Sequence, residues 1–303
     1  MKKIHQFTLS FPVLALPLLL ASCGSDEGQP DVVGDEPVPI VLSAGVPATK
    51  AVVNTGDVFS AGIAGWETDA AAPDYAATAD WLEAVQITAG TTAQPVVLDP
   101  PQYYHADRDV KTYIRAWHPA GTLAGGKVTF ANADGTVDAL LAAGVSGSKY
   151  DAAAKQLRFE HPTTQLKFRV VAGEGLDAGT QLRSITLKGV ELPTGFDLAT
   201  DAVTYAAAAD LAVPGIDGTQ VIGATATAAG QPVMVRPVAG NRVTLDVSTS
   251  TADFPGVVAT IDGDADFVPG KAYTVTLTFR QSEVALTATV APWEAGTGSG
   301  GIE

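Results

Sequence analysis

Side chains able to do chemistry are few in this 303-residue chain, and they stand far apart. The chain has one cysteine, Cys23, and four histidines, His5, His105, His118 and His161. A lone thiol makes neither an internal disulfide nor a multi-cysteine zinc site. No histidine pair has metal-ligand spacing, and HExxH is absent. The stretch GVSGS at 144–148 lacks the second glycine of a nucleophile elbow. GTGSGG at 296–301 follows the last strand and opens no helix, so it reads as a tail and not as a phosphate cradle. DGDAD places Asp262, Asp264 and Asp266 at alternate positions, as a calcium loop would. Phe267 stands where that loop needs glycine and Tyr273 where it needs glutamate, which favours an acidic turn. His161 shares parity with Leu157 and Phe159 and has no acidic partner at a fixed spacing, so a structural, core-facing role is expected. Trp66, Trp81, Trp117 and Trp293 could stack on sugars, but dispersed as they are they read as core anchors. No nucleophile–base pair can be named, so no enzyme and no cofactor are expected.

That leaves Cys23. It follows a basic start, Lys2 and Lys3, and an apolar run at 11–20 that suits a signal-peptide core and is short for a membrane span. The junction Leu20-Ala21-Ser22-Cys23 resembles a bacterial lipobox, which is cut before the cysteine. The thiol and the new amine are then acylated. The competing reading is an ordinary secretory signal with a chance cysteine. Several acyl chains anchor firmly where one does not. Cys23 is therefore expected to hold the chain to an outer membrane, at the cell surface.

Net charge is −15 at pH 7, with 33 acidic against 18 basic residues. Losing Lys2 and Lys3 with the signal makes it more acidic. Such a chain offers phosphates nothing to pair with, which excludes nucleic acid as a partner.

The elements that must carry any site are strands. Residues 23–38, after a signal at 1–22, are rich in Gly, Pro and acid and read as a disordered tether. Beyond them KAYTVTLTFR, NRVTLDVSTS, QLKFRVV, VKTYIRAW and RSITLKGV alternate apolar with Thr or charged residues. That period-two pattern marks strands with one wet face. ATADWLEAV and VDALLAAG are the two stretches that could make short helices. Turns rich in Gly, Asp and Pro break the strands at short intervals, as in β-sandwiches. The length suits two in series, at 39–172 and 173–303, with a boundary good to about twenty residues and a cut near Lys149 as the alternative.

Several segments, in order, resemble fimbrillin-type lipoproteins of Bacteroidales. FEHPTTQLKFRV is similar to that family's F-x-H-x-x-x-x-L-x-F/V-x-V segment. YIRAWHPAG and VDALLAAG are similar to its aromatic-turn strand and its short D-L-x-x-A stretch. VAPWEAGTGSGGIE resembles its terminal strand and tail, and ATKAVVNTGDVFSAGIAGW its T-(K/R)-A processing segment with the strand that follows. The resemblance implies an all-β chain of two tandem transthyretin-like Greek-key sandwiches, exported as a lipoprotein. It implies a trypsin-like protease that cuts after the first strand, and a pilus in which the next subunit's strand fills the groove left open.

The residues suit such a mechanism. PIVLSAG at 39–45 is a short apolar strand between Pro39 and Pro47. Lys50-Ala51 lies just beyond, in small residues open to a protease, although Lys50 reads equally as a solvated loop lysine. Losing the strand would leave unpaired backbone groups and an apolar face. A strand from another subunit could cover both. EVALTATVAPW is a candidate donor, with Val284, Leu286, Ala288 and Val290 on one face; it reads equally as the last strand of its own sandwich. Partners are then other pilus subunits. The alternative function is an uncleaved surface lipoprotein that serves as an adhesin or as a glycan- or host-protein-binding module.

Overall fold

The computed structural model describes residues 36–46, 56–260, 266–280 and 284–292, with side chains for all of these except 286–292. Its described residues are all-β. The first sheet has seven strands, in the order β3 (Trp81–Thr88), β2 (Val58–Thr68), β5 (Lys111–His118), β8 (Leu140–Gly147), β9 (Lys155–Glu160), β1 (Leu42–Gly45) and β4 (Gln94–Val96). A small sheet runs β13 (Ala202–Tyr205), β12 (Pro193–Asp197), β7 (Lys127–Thr129), β6 (Thr122–Ala124). Two further four-stranded sheets follow. One runs β15 (Thr227–Val235), β10 (Thr164–Ala172), β18 (Lys271–Phe279), β19 (Val284–Pro292); the other runs β14 (Ala209–Ala212), β11 (Leu182–Val190), β16 (Arg242–Thr249), β17 (Asp253–Thr260).

The period-two segments all form strands, and all but VKTYIRAW, which is covered on both faces, keep one wet face. In β18 the residues Tyr273, Val275, Leu277 and Phe279 are buried, and in β16 Val243, Leu245 and Val247. These side chains meet those of β10, β11 and β15 in one core, which includes Leu166, Phe168, Leu187 and Val233. A separate core, with Leu42, Phe59, Ile63, Leu140, Leu157 and Phe159, lies inside the seven-stranded sheet. The core changes between Phe159 and Leu166.

Both short helical expectations fail. ATADWLEAV enters β3, where Val85 and Ile87 are buried on alternate positions. VDALLAAG enters β8. Its apolar residues are continuous because both faces of β8 are covered: Leu140 and Ala142 join the inner core, Ala139 and Leu141 an outer one. A strand buried on both sides loses its alternation and imitates a helix in sequence.

The outer core exists because β12 returns to pair with β7, Phe196 opposite Val128. Phe196 and Val128 pack with Trp66 and Trp117 over β2, β5 and β8. Trp117 also fixes a glycine. A Cβ on Gly62 would lie 2.6 Å from the Trp117 ring, so the indole can lie flat on β2 only where no side chain stands. The described residues from Pro37 onward form one compact unit.

Candidate functional site: the place of the first strand

β1 is four residues long and paired on both sides. It runs parallel to β9, with Leu42 beside Lys155, and antiparallel to β4, with Leu42 beside Val96. Pairing extends beyond the strand proper. Ile40 N–H donates to Gln102 O at 2.8 Å, Tyr104 N–H to Val38 O at 2.9 Å, Lys155 N–H to Val41 O at 3.0 Å and Val46 N–H to Gly90 O at 3.1 Å. Pro39 makes a bridge with Tyr103. The segment from 38 to 46 is thus hydrogen-bonded along both edges.

Its faces differ. Ile40, Leu42, Ala44 and Val46 are buried, Leu42 and Ala44 to 1% exposure, while Val41 is 49% exposed. Fully burying a valine, leucine or isoleucine is worth roughly 1.5–3 kcal/mol each. This segment therefore supplies one wall of the inner core.

The far wall is thin. β4 has three residues, and Pro95 within it offers no N–H, as suits an edge strand. The chain after β4 is tied to β3 by one carboxylate. Glu83 accepts from Asp99 N–H at 2.9 Å and from the Gln102 side-chain amide at 2.7 Å. This link brings the two edges of the seven-stranded sheet together into a nearly closed barrel.

Of the residues singled out in the sequence, Cys23, Lys50 and Ala51 lie outside the described residues, as do Trp293 and residues 261–265 of the acidic turn. Asp266 is described, and its carboxylate accepts from Gly240 N–H at 2.7 Å. Val284, Leu286, Ala288 and Val290 belong to β19, which pairs antiparallel with β18 over its whole length, Leu286 opposite Leu277. β19 is the edge of its sheet. Val284 is half-buried against the core of that sheet.

His161 is buried, and its Nδ1 lies 2.8 Å from Asp138 Oδ1. The sequence showed no such partner because Asp138 stands 23 residues away. The pairing of β8 with β9 brings the two together. Both side chains are sealed from solvent, which suits packing and not turnover. His118 is half-buried, with Nδ1 2.7 Å from Ser60 O and its ring edge-on to Phe59. Burial pushes its pKa below the ordinary histidine value, and the Ser60 carbonyl and the Asp138 charge oppose that only in part. Trp66 and Trp117 are core residues whose indole N–H groups reach Ala77 O and Ala120 O. Trp81 is partly buried against the inner core.

One buried cation escaped the sequence pattern. Arg115 lies between Ile114 and Ala116, and both faces of β5 are covered there. It pairs with Asp201 in the turn after β12 and stands 5.3 Å from the Tyr75 ring. Near the ends of β11 and β16 is a cavity of about 220 Å³ lined in part by Lys188 and Arg236. Lys188 is paired with Asp210 and Asp246, and Arg236 with Glu191, so neither cation is open to an anion. Among the described residues no three His, Cys, Asp or Glu gather as metal ligands.

The chain matches the family described as Fimbrillin-like over residues 49–293. A candidate cell adhesion protein from Bacteroides uniformis aligns with 84% of this chain and 99% of its own, at 19% identity and a TM-score of 0.55. Another from Bacteroides ovatus aligns with 85% of this chain and 98% of its own, at 14% identity and a TM-score of 0.52. A fimbrial protein from Bacteroides vulgatus aligns with 84% and 99%, at 15% identity and a TM-score of 0.46. The first two share the fold. No curated protein matches the chain by sequence.

Proposed function

The chain belongs to the Fimbrillin-like family, and on that footing we propose that it is a subunit of a cell-surface pilus, assembled by strand exchange at the place of β1. As a fimbrillin-family structural protein it is non-catalytic. Delivery is through lipid on Cys23, which tethers the chain to the outer membrane. A trypsin-like protease cuts between Lys50 and Ala51 and frees everything before the cut, β1 included. We read the two cores as tandem sandwiches; the change of core between Phe159 and Leu166 supports a joint earlier than the 172–173 boundary read from the sequence.

One observation carries this reading. β1 is the first described strand, yet it lies between two others and fills one wall of a core. A cut beyond it detaches the strand without interrupting any other element. What is left is a slot with hydrogen-bonding groups along both sides and an apolar floor, a ready site for β-augmentation. Val284, Leu286, Ala288 and Val290 are the candidate donor.

A specific observation supports the second reading as well. Two solved structures that share the fold are described as candidate cell adhesion proteins, which suits an uncleaved lipoprotein whose loops bind a glycan or host protein. Sequencing the N-terminus of surface-extracted protein decides between the two. The pilus reading expects Ala51 as first residue in assembled material. Lipidated Cys23 on every assembled molecule would defeat it.

A further inference from the structure

We propose that Glu83 is a positioning residue for strand exchange: its carboxylate holds residues 99–104 in place once β1 has gone, so that the outer wall of the slot stands ready for an incoming strand. This rests on the strand-exchange reading and adds to it what keeps the slot in shape between one occupant and the next.

The first argument is how the outer wall is held. Residues 94–104 form that wall, and β4 at its start has β1 as its one neighbour in the sheet. The rest of the wall leans on the same segment. Gln102 O accepts from Ile40 N–H, Tyr104 N–H donates to Val38 O, and Tyr103 bridges to Pro39. All of those bonds go when the segment up to Lys50 is released. Among the described residues, the one other group in the sheet that hydrogen-bonds to 94–104 is the Glu83 carboxylate. The side chains of Leu98 and Tyr104 stay buried in the inner core. Apolar burial has no direction, so it does not decide where a backbone carbonyl points.

The second argument is the chemistry of the clamp. Glu83 lies on β3, which pairs with β2, Glu83 opposite Ile63, and loses no ladder with β1. One carboxylate oxygen accepts from Asp99 N–H at 2.9 Å and the other from Gln102 Nε2 at 2.7 Å. Hydrogen bonds accepted by a carboxylate are stronger than neutral ones. Gln102 Nε2 also donates to Pro100 O at 3.1 Å, so the clamp fixes the bend of chain that leads to Gln102 O. That carbonyl is the acceptor that Ile40 N–H leaves behind. An incoming strand then meets it already aimed and has less chain to order on seating, which speeds capture. Once seated, the strand's own ladder holds the wall, and the clamp matters little to release.

The test uses the mature chain with a site-specific protease sequence inserted after Lys50, cut and freed of its first segment. Uptake and release of a fluorescent peptide of residues 37–47, β1 itself, are timed by anisotropy. The native chain is compared with Glu83→Leu, with Gln102→Glu, and with Glu83→Gln and Gln102→Glu together. Glu83→Leu removes both acceptors, and Gln102→Glu sets two carboxylates face to face. The double change turns the bond round: the new amide offers its oxygen to Asp99 N–H and its N–H to the new carboxylate. The expected result is that each single change slows uptake about tenfold and leaves release within about threefold, while the double change returns uptake to within about twofold of native. Amide exchange at 94–104 should quicken in the cut single variants and stay slow in every uncut chain, where β1 holds the wall. Equal uptake in all forms, no rescue by the double change, an effect on release instead of uptake, or fast exchange in an uncut variant would each overturn the role of Glu83 and leave strand exchange standing. A native cut chain that takes up no peptide overturns both.

Discussion

β1 and β10 hold equivalent places in different sheets, and the difference between them is connectivity. Each is the first strand of its core. Each lies between one parallel and one antiparallel neighbour, β1 between β9 and β4 and β10 between β18 and β15. Each buries a leucine to 1% exposure, Leu42 and Leu166. Yet β1 has four residues and is the first described strand, while β10 has nine and continues from β9 through His161, Thr163 and Thr164, all buried. Burial alone therefore does not tell a removable strand from a permanent one. A strand can be exchanged when one cut frees it, and β10 would need two.

The largest expected effect comes from removing residues up to Lys50 from a monomer. The slot's core should lose on the order of 5 kcal/mol as Ile40, Leu42 and Val46 are uncovered. The core around β10 should keep its stability. Calorimetry would then show one transition moved down and one in place, and a single transition moving as a whole would break the comparison.

Paired substitutions sharpen it next. Leu42→Ala and Leu166→Ala should each cost about 2–5 kcal/mol in the uncut chain. After cutting and removal of the released segment, Leu42→Ala should cost nothing and Leu166→Ala as much as before, by denaturant titration of both forms.

A smaller effect should be the same in both forms. Gly62→Ala pushes a methyl group into the Trp117 ring, far from the slot, and should cost about 1–3 kcal/mol cut or uncut, with a changed near-ultraviolet signal from the indole.

The smallest concerns acid. Partial burial of His118 pushes its folded pKa below the unfolded value near 6.5. The unfolded chain takes up the proton first. The stability His118 contributes is full above about pH 6.5 and is lost as pH falls toward its lower folded pKa. His118→Gln should flatten the acid side of the stability profile for the slot's core and leave the other core's profile alone, as read by melts across pH 5–8.

Strands with one wet face were legible in the sequence. β10, β11, β16 and β18 each announced a buried parity that the structure keeps. Strands covered on both sides were not. β8 read as a short helix because Leu140, Leu141 and Ala142 all need burial, and β5 hid Arg115 because alternation places a charge in water. The Asp138–His161 contact was invisible for a related reason: it depends on which strand lies beside which. The candidate site was half legible. The apolar segment at 39–45 and the parity of 284–290 stand out in the sequence, while nothing in it places the first between β9 and β4.

The sequence by itself determined the strand periods, the acidic charge, the apolar segment at 39–45 and the shared parity of Val284, Leu286, Ala288 and Val290. Those are local quantities, written in the order of side chains along one strand. Only the tertiary structure decided that β1 is interior and β19 an edge, that β12 crosses back to cover β2, β5 and β8, and that Glu83 ties one sheet edge to the other. A period of two says which face of a strand is dry. It carries no information about the neighbour, because every backbone offers the same N–H and C=O groups and the choice among them is made by packing between residues a hundred positions apart.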